Sequence, residues 1–175
     1  MLKRRYASSI RSEQLLHAAY AALREQGARI SVAALCREAG LNRSTFYEHY
    51  ESIASLERDI KDQVLSGLAD AIRRATAHDL YEDPLPAVTL IGDYVIRNQA
   101  MLRFWLKSDE SFEFGDAIRK TILDVGGEHP LRSMVVFDYT AGGLASIYRT
   151  WLVGDYQSLT IGEVNEIAAE LVKYG

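Results

Sequence analysis

The chain has 175 residues, of which 48% are hydrophobic and 25% charged, with a formal net charge of −4; this composition is ordinary for a globular protein of one or two small domains. Its single cysteine, Cys36, excludes an internal disulfide and favours a reducing cytoplasm. No apolar run approaches the roughly 20 residues of a membrane span and no secretion signal is recognisable, so the sequence predicts a cytoplasmic protein without a membrane partner.

The charge is divided unevenly along the chain. Residues 1–50 hold eight Lys or Arg against four Asp or Glu, a net charge of +4, whereas residues 51–175 hold twelve against twenty, a net charge of −8. A basic head on an acidic body is typical of a protein whose head meets phosphate and whose body does not. We therefore expect two domains, residues 1–50 and residues 51–175.

The N-terminal stretch predicts a basic arm followed by a helix. Residues 1–11, MLKRRYASSIR, contain four basic residues and no acidic one, which indicates a flexible arm. A helix is expected from about Ser12 to Gln26, and Gly27 ends it. His17 lies beside the apolar face of this helix and is interpreted as a surface or boundary residue, not as a ligand.

Residues 31–50, SVAALCREAGLNRSTFYEHY, predict two short helices joined by a tight turn. Ser31 can cap the first helix, in which Val32, Leu35, Cys36 and Ala39 form one apolar stripe. Gly40 ends that helix because glycine adopts the left-handed conformation without steric cost. The second helix begins at Asn42 or Arg43 and is dense in Arg, Ser, Thr, Tyr and His. This arrangement describes a helix-turn-helix.

The segment AGLNRSTFYEHY, residues 39–50, resembles the DNA-binding helix-turn-helix of the TetR (tetracycline repressor) family of bacterial transcription regulators. That family's pattern is AG-apolar-S-x-x-T-aromatic-Y-x-H-F/Y, and the match extends from Ile10 to Leu56. The resemblance implies a three-helix DNA-binding domain and a C-terminal helical bundle that dimerises. It also implies a repressor that acts as a homodimer on a palindromic operator in double-stranded DNA.

The second helix of the helix-turn-helix, the recognition helix, supplies side chains suited to DNA. Arg can fork onto guanine or grip a phosphate, and hydroxyl groups bond bases or phosphates. The resemblance implies base or nearby phosphate contacts by Arg43, Ser44 and Thr45, and phosphate contacts by Ser31, Tyr47 and His49; Asn42 stands where the family pattern has Ser. Glu51 lies in the region where many members carry a Lys, so the ammonium group that would make one phosphate contact is missing and a carboxylate is added. An alternative therefore stays open, a dimeric protein-interaction module whose DNA head has reduced affinity and which a partner protein controls.

The rest of the chain predicts only helices, since no alternating strand pattern occurs. A long helix is expected over about Ser52–Ala77, and the prolines of residues 79–86, DLYEDPLP, end it. Thr160 and Glu163 form a capping box at the start of the last helix. The remaining predicted helices are Pro86–Asn98, Gln99–Lys107, Ser108–Val125, Leu131–Val153 and Thr160–Tyr174, and the fold class is all-α.

The C-terminal part carries no enzyme signature. It has no Gly-rich phosphate loop, no GxSxG and no Cys/His cluster, so we expect no catalytic residues, no cofactor and no metal. Its aromatic residues could instead line an effector pocket, for a small apolar molecule, or control could come from a partner protein. The candidate pocket residues are Tyr94, Phe104, Trp105, Phe112, Tyr139 and Tyr148.

Helices Leu131–Val153 and Thr160–Tyr174 are the predicted dimer elements. Gly142 and Gly143 lower helix propensity by roughly 1 kcal/mol each relative to Ala, which suggests a close backbone approach. The apolar neighbours expected to join them are Leu144, Ile147, Tyr148 and Trp151. This part of the chain, with its W-L-x-G ending, is loosely similar to a TetR subgroup that includes dihydroxyacetone-kinase-type regulators, some of which answer to a partner protein.

Overall fold

The computed structural model describes residues 2–78, 82–107, 120, 124 and 131–174. Across these ranges the chain forms helices and no strand, which confirms the all-α prediction. None of the described helices is both long and apolar enough to cross a membrane. The helices are α1 Leu2–Glu25, α2 Val32–Ala39, α3 Arg43–His49, α4 Ile53–Ala75, α5 Leu85–Arg97, α6 Gln99–Lys107, α7 Leu131–Val153 and α8 Ile161–Tyr174.

The chain divides into two compact units, Met1–Gln63 and Val64–Gly175. The first unit contains α1, α2, α3 and the beginning of α4, and the second contains the remainder of α4 with α5 to α8. The division falls within α4. Most of the helix expected over Ser108–Val125, including Phe112, lies outside the described residues.

The first unit is built around the side of α1 that faces α2 and α3. Its fully buried large side chains come from all four helices and include Leu16, Tyr20, Leu35, Phe46 and Leu56, each 0% exposed. Burial of a large apolar side chain stabilises by about 1.5–3 kcal/mol, so this small core is enough to hold the two short helices in place.

The predicted flexible arm is wrong, because α1 already begins at Leu2. Residues 2–11 contain neither Gly nor Pro and are rich in good helix formers, so the helix propagates through them. At the other end Gly27 has a φ of 64°. This left-handed conformation is costly for a side-chain-bearing residue, and the predicted helix end at Gly27 is confirmed.

The second unit is held together by α5, α7 and α8 around a buried amide. Asn165 is 3% exposed, and its Oδ1 accepts a hydrogen bond of 2.8 Å from the Tyr148 hydroxyl, which also lies 3.1 Å from the Val88 carbonyl oxygen. Gly92 faces the amide so closely that an added Cβ would lie 2.6 Å from Asn165 Nδ2. Glycine is therefore required for α5 to approach α8 at this point.

The capping box at the start of α8 is present as predicted. Glu163 Oε2 accepts hydrogen bonds from the Thr160 backbone N–H at 2.7 Å and from its hydroxyl at 2.8 Å, and the Glu163 N–H donates to Thr160 Oγ1 at 3.3 Å. These bonds lower the pKa of the Glu163 carboxyl, the backbone bond contributing most. The box fixes where α8 begins.

Candidate nucleic-acid interface

The turn between α2 and α3 is set by hydrogen bonds that the sequence encodes locally. Ser31 Oγ accepts from the Ala34 N–H at 3.2 Å and caps α2. Gly40 has a φ of 65° and a ψ of 31°, and the following Leu41 N–H donates to the Cys36 carbonyl at 2.8 Å. This left-handed C-cap reverses the chain in two residues, so α3 follows α2 at once.

Helix α3 presents one polar side and one apolar side. Asn42, Arg43, Ser44 and Tyr47 are exposed, and Thr45 and His49 are half-buried. Within the described part of the chain, the side-chain nitrogen and oxygen atoms of these six residues form no hydrogen bond or ion pair. Asn42 is the N-cap of α3 but makes no side-chain capping bond. Their donors and acceptors are therefore available to a partner.

The apolar side of α3 anchors the helix to the core of its unit. Phe46 is 0% exposed and Tyr50, directly after the helix, is 8% exposed. The Phe46 and Tyr47 rings pack in a T-shaped arrangement with their centroids 5.3 Å apart. Cys36 is buried and burial raises the pKa of its thiol, as expected for a packing residue and not for a nucleophile.

Tyr50 is tied to two other helices by its hydroxyl. It donates to Asp59 Oδ2 of α4 at 2.6 Å and lies 2.8 Å from His17 Nε2 of α1. Burial raises the pKa of the Tyr50 hydroxyl, and so does the hydrogen bond to Asp59. The end of the recognition helix is thus held by a polar contact as well as by packing.

A second polar network joins α1 to α4. Arg24 Nη2 lies 2.6 Å from Glu57 Oε1, and the Tyr20 hydroxyl donates to the same oxygen at 2.7 Å. The Arg24 guanidinium also stacks over the Tyr20 ring at 5.0 Å. Sequence reasoning missed both networks, because each joins residues of α1 to residues more than 30 positions further along the chain. The spacing of Tyr20 and Arg24, one helical turn, is a local signal within the second network.

Two backbone N–H groups at the start of α4 are satisfied by nearby serine side chains. The Ser52 N–H donates to Ser55 Oγ at 3.1 Å, and the Ser55 N–H donates to Ser52 Oγ at 3.2 Å. Two donors that could have met a phosphate at this helix start are therefore engaged. Glu51 is exposed and adds a negative charge beside them.

The expected effector-pocket residues are spread over different environments. The Tyr94 hydroxyl donates to the Val64 carbonyl at 2.7 Å, Trp105 is 4% and Tyr148 is 5% exposed, and Phe104 is half-buried. Tyr139 is 74% exposed, so it lies on the surface of the chain and not in its interior. Phe112 lies outside the described residues.

The exposed side of helix α7 is not the side that the sequence predicts for contact with a second copy. Tyr148 and Trp151 were expected at a surface for a second copy, but each is 5% exposed, and the Trp151 indole N–H donates to the Leu159 carbonyl at 2.9 Å. Leu144 and Ile147 are half-buried. The helix is apolar nearly all round, so its periodicity does not distinguish the inward side from the outward side.

Comparison with known proteins agrees with this geometry. Residues 15–59 match the family model described as bacterial regulatory proteins, tetR family. No curated protein matches the chain in sequence.

The chain is similar to the solved structure of the dihydroxyacetone kinase operon activator DhaS, with a TM-score of 0.65 and 17% sequence identity. The similarity covers 92% of this chain and 93% of DhaS. At this identity the likeness shows a common fold. It extends the similarity from the helix-turn-helix to nearly the whole chain. Residues 15–59 are thus similar to a region of the tetR family of bacterial regulatory proteins, and nearly the whole chain shares the fold of DhaS.

Proposed function

We propose that the chain represses transcription as a homodimer that binds a palindromic operator through its two copies of α3. The observation that carries the proposal is the polar side of α3. Its exposed Arg43, Ser44 and Tyr47 have no internal polar partner among the described residues, while Phe46 fixes the opposite side in the core. A helix held in this way can enter the major groove without rearrangement.

The residues on this side divide by the contacts that we assign to them. Arg43, Ser44 and Thr45 read bases or grip the nearest phosphates, since Arg and hydroxyl side chains can do both. Tyr47 and His49, nearer the end of α3, contact phosphates, as does Ser31 at the start of α2. Asn42, exposed and without a capping bond, joins the first group.

A single chain has one α3, so reading two half-sites requires two copies. An outward stripe on α7 contains Val135 and Tyr139, 62% and 74% exposed, followed by the exposed Gly142 and Gly143. A Cβ added at either glycine would meet no atom of the described residues within 4 Å. No close approach to that part of the chain explains the two glycines, and we assign the approach to α7 of a second copy.

Helix α8 supplies a second outward apolar stripe. Ile167, Leu171 and Tyr174 are 44%, 56% and 81% exposed and recur at helical spacing. Two such helix pairs related by a two-fold axis would form a self-complementary four-helix interface. The interface would bury the large apolar side chains that a single chain leaves in water.

The dimer is tested by a charge placed in the second stripe. Leu171→Glu should convert the protein from dimer to monomer in size-exclusion chromatography with light scattering, because two carboxylates would be buried without partners. Leu85→Glu is the matched control, since Leu85 is 40% exposed but lies at the start of α5. A wild-type monomer at micromolar concentration would contradict the proposal.

The operator is tested by selecting bound sites from random duplex DNA. We expect an inverted repeat whose half-site centres lie about 34–36 Å apart or a multiple of that distance. The sign of regulation is tested by a reporter gene behind the selected site, where repression predicts higher expression when the regulator is deleted. Activation is the second candidate, favoured by the name of the structurally similar DhaS, an operon activator; it predicts lower expression.

Control of the regulator belongs to the second unit, by a small apolar molecule or by a partner protein. Trp105 and Trp151 are 4% and 5% exposed, so their fluorescence reports on the interior of this unit. A ligand that shifts this fluorescence should also change operator affinity, because an effector acts only through a difference in its affinity for the two states. A ligand that stabilises the protein without changing operator affinity would contradict the coupling.

The alternative of a protein-interaction module with a weak DNA head rests on Glu51 and on the engaged donors of Ser52 and Ser55. It predicts micromolar or weaker binding to the selected operator at low salt. The repressor predicts tight, salt-sensitive binding to the same site.

A further inference from the structure

Three potential metal ligands on α1 and the first turns of α4 come close together. Glu13 and His17 lie one turn apart on α1, and Asp59 lies on α4. One ligand atom from each can be chosen so that all three lie within 4.8 Å of one another. All three residues are half-buried, so the cluster is partly shielded and partly open to solvent.

The distance between two of the three ligands suits a first coordination shell. His17 Nε2 lies 3.1 Å from Asp59 Oδ2. Two ligands that each lie about 2.0–2.2 Å from Zn²⁺ are separated by about 3–3.5 Å. One imidazole nitrogen and two carboxylate oxygens form a donor set that zinc and manganese accept, with water completing the shell.

We propose that Glu13, His17 and Asp59 form a binding site for a divalent transition metal, with Zn²⁺ the preferred ion, in the DNA-binding head. The site shares no residue with the proposed operator contacts or with the candidate effector pocket. Its ligands bridge α1 and α4, so a bound ion would lock together the two helices that flank the recognition helix.

Neighbouring groups orient the ligands from outside. Gln63 Nε2 donates to Glu13 Oε1 at 3.2 Å and lies 3.4 Å from Asp59 Oδ2, while the Tyr50 hydroxyl donates to Asp59 Oδ2 at 2.6 Å. Outer hydrogen bonds of this kind commonly hold metal-binding carboxylates in place.

The test is calorimetric titration of the full chain, without an affinity tag and freed of metal by chelation, with ZnCl₂, MnCl₂ and MgCl₂. We expect one Zn²⁺ per chain, weaker binding of Mn²⁺ and no saturable binding of Mg²⁺, which favours all-oxygen shells. Zinc should also raise the melting midpoint, since an ion that binds only the folded state stabilises it.

Three single variants locate the site. His17→Ala, Glu13→Gln and Asp59→Asn should each raise the zinc dissociation constant by roughly 10–100-fold or more, since even outer-shell partners have effects of that size. His78→Ala and Glu25→Gln are the matched controls, because both residues are exposed and lie outside the cluster. They should leave the zinc affinity unchanged.

Absence of saturable zinc binding would overturn the proposal, and so would zinc binding that all three ligand variants retain. Glu13→Gln keeps the shape of the side chain, and circular dichroism establishes that it is folded. It therefore decides the question even if His17→Ala fails to fold.

Discussion

Tyr47 and Tyr50 allow the same chemical change, loss of one hydroxyl, to be made on the two sides of the recognition helix. The side chain of Tyr47 is 59% exposed and that of Tyr50 is 8% exposed. The Tyr50 hydroxyl donates to Asp59 Oδ2 at 2.6 Å, whereas the Tyr47 hydroxyl has no hydrogen-bond partner in the described part of the chain. Tyr50→Phe should therefore reduce stability, and Tyr47→Phe should reduce DNA affinity.

The magnitude for Tyr50→Phe follows from its partners. A hydrogen bond to a charged group contributes about 1.5–3 kcal/mol. The Asp59 side chain is 37% exposed and that of His17 is 18% exposed, so water can replace part of the lost bond. We expect the free energy of unfolding to fall by about 1–2 kcal/mol. Tyr47→Phe should change it by less than about 0.5 kcal/mol, as for an exposed substitution without partners.

Urea denaturation followed by circular dichroism measures the stability difference, and fluorescence anisotropy with labelled operator DNA measures affinity. Tyr47→Phe should weaken binding severalfold to all duplex sequences alike, since a phosphate contact carries no sequence information. Equal stability of the two variants, or a larger loss of stability in Tyr47→Phe, would refute the reasoning that separates the two sides of α3.

Two further predictions concern the second unit. Gly92→Ala should destabilise this unit by about 1–3 kcal/mol through overpacking, since the added Cβ would lie 2.6 Å from Asn165 Nδ2. Chemical denaturation should show that Asn165→Ala partly restores the stability of Gly92→Ala. Additive effects of the two substitutions would contradict the contact. Gly162→Ala is the control, because its Cβ would lie 3.8 Å from Thr160 Oγ1, an ordinary contact. The pKa of Glu163 is lowered in the folded state, so its stabilising effect is present above the ordinary glutamate pKa and lost as the pH falls through the folded value. Glu163→Gln should flatten this acid part of the stability profile in denaturation from pH 3 to pH 6, and an unchanged profile would contradict the assignment.

The helix-turn-helix could be predicted from the sequence because local signals define it. Ser31 caps α2, Gly40 ends it in the left-handed conformation, and both act within a few residues of their own position. The capping box of α8 is equally local. Such signals fix helix ends whatever the rest of the chain does.

The sequence-based predictions differ from the structure where a contact joins residues distant in sequence, or where the hydrophobic pattern of a helix does not define one buried side. The arm before Ser12 was interpreted from charge, although nothing in its composition stops a helix, and α1 includes it. Tyr139 was expected in an interior and is exposed, because α7 is apolar on several sides. The contacts of His17 with Tyr50 and Asp59 join residues 33 and 42 positions apart, which no local pattern encodes.

Binding of operator DNA by the polar side of α3 would depend on phosphate contacts, and the salt dependence of the affinity measures those contacts. Anisotropy titrations of the wild type with the selected operator, from 50 to 200 mM salt, should show a linear fall of log affinity with log salt, because phosphate contacts release counterions. Arg43→Ala should weaken binding by about 1–3 kcal/mol and alter base preference if Arg43 reads a base, or reduce the salt slope by about one if it grips a phosphate. No binding of any duplex at low salt, or binding that Arg43→Ala and Tyr47→Phe leave unchanged, would contradict the account.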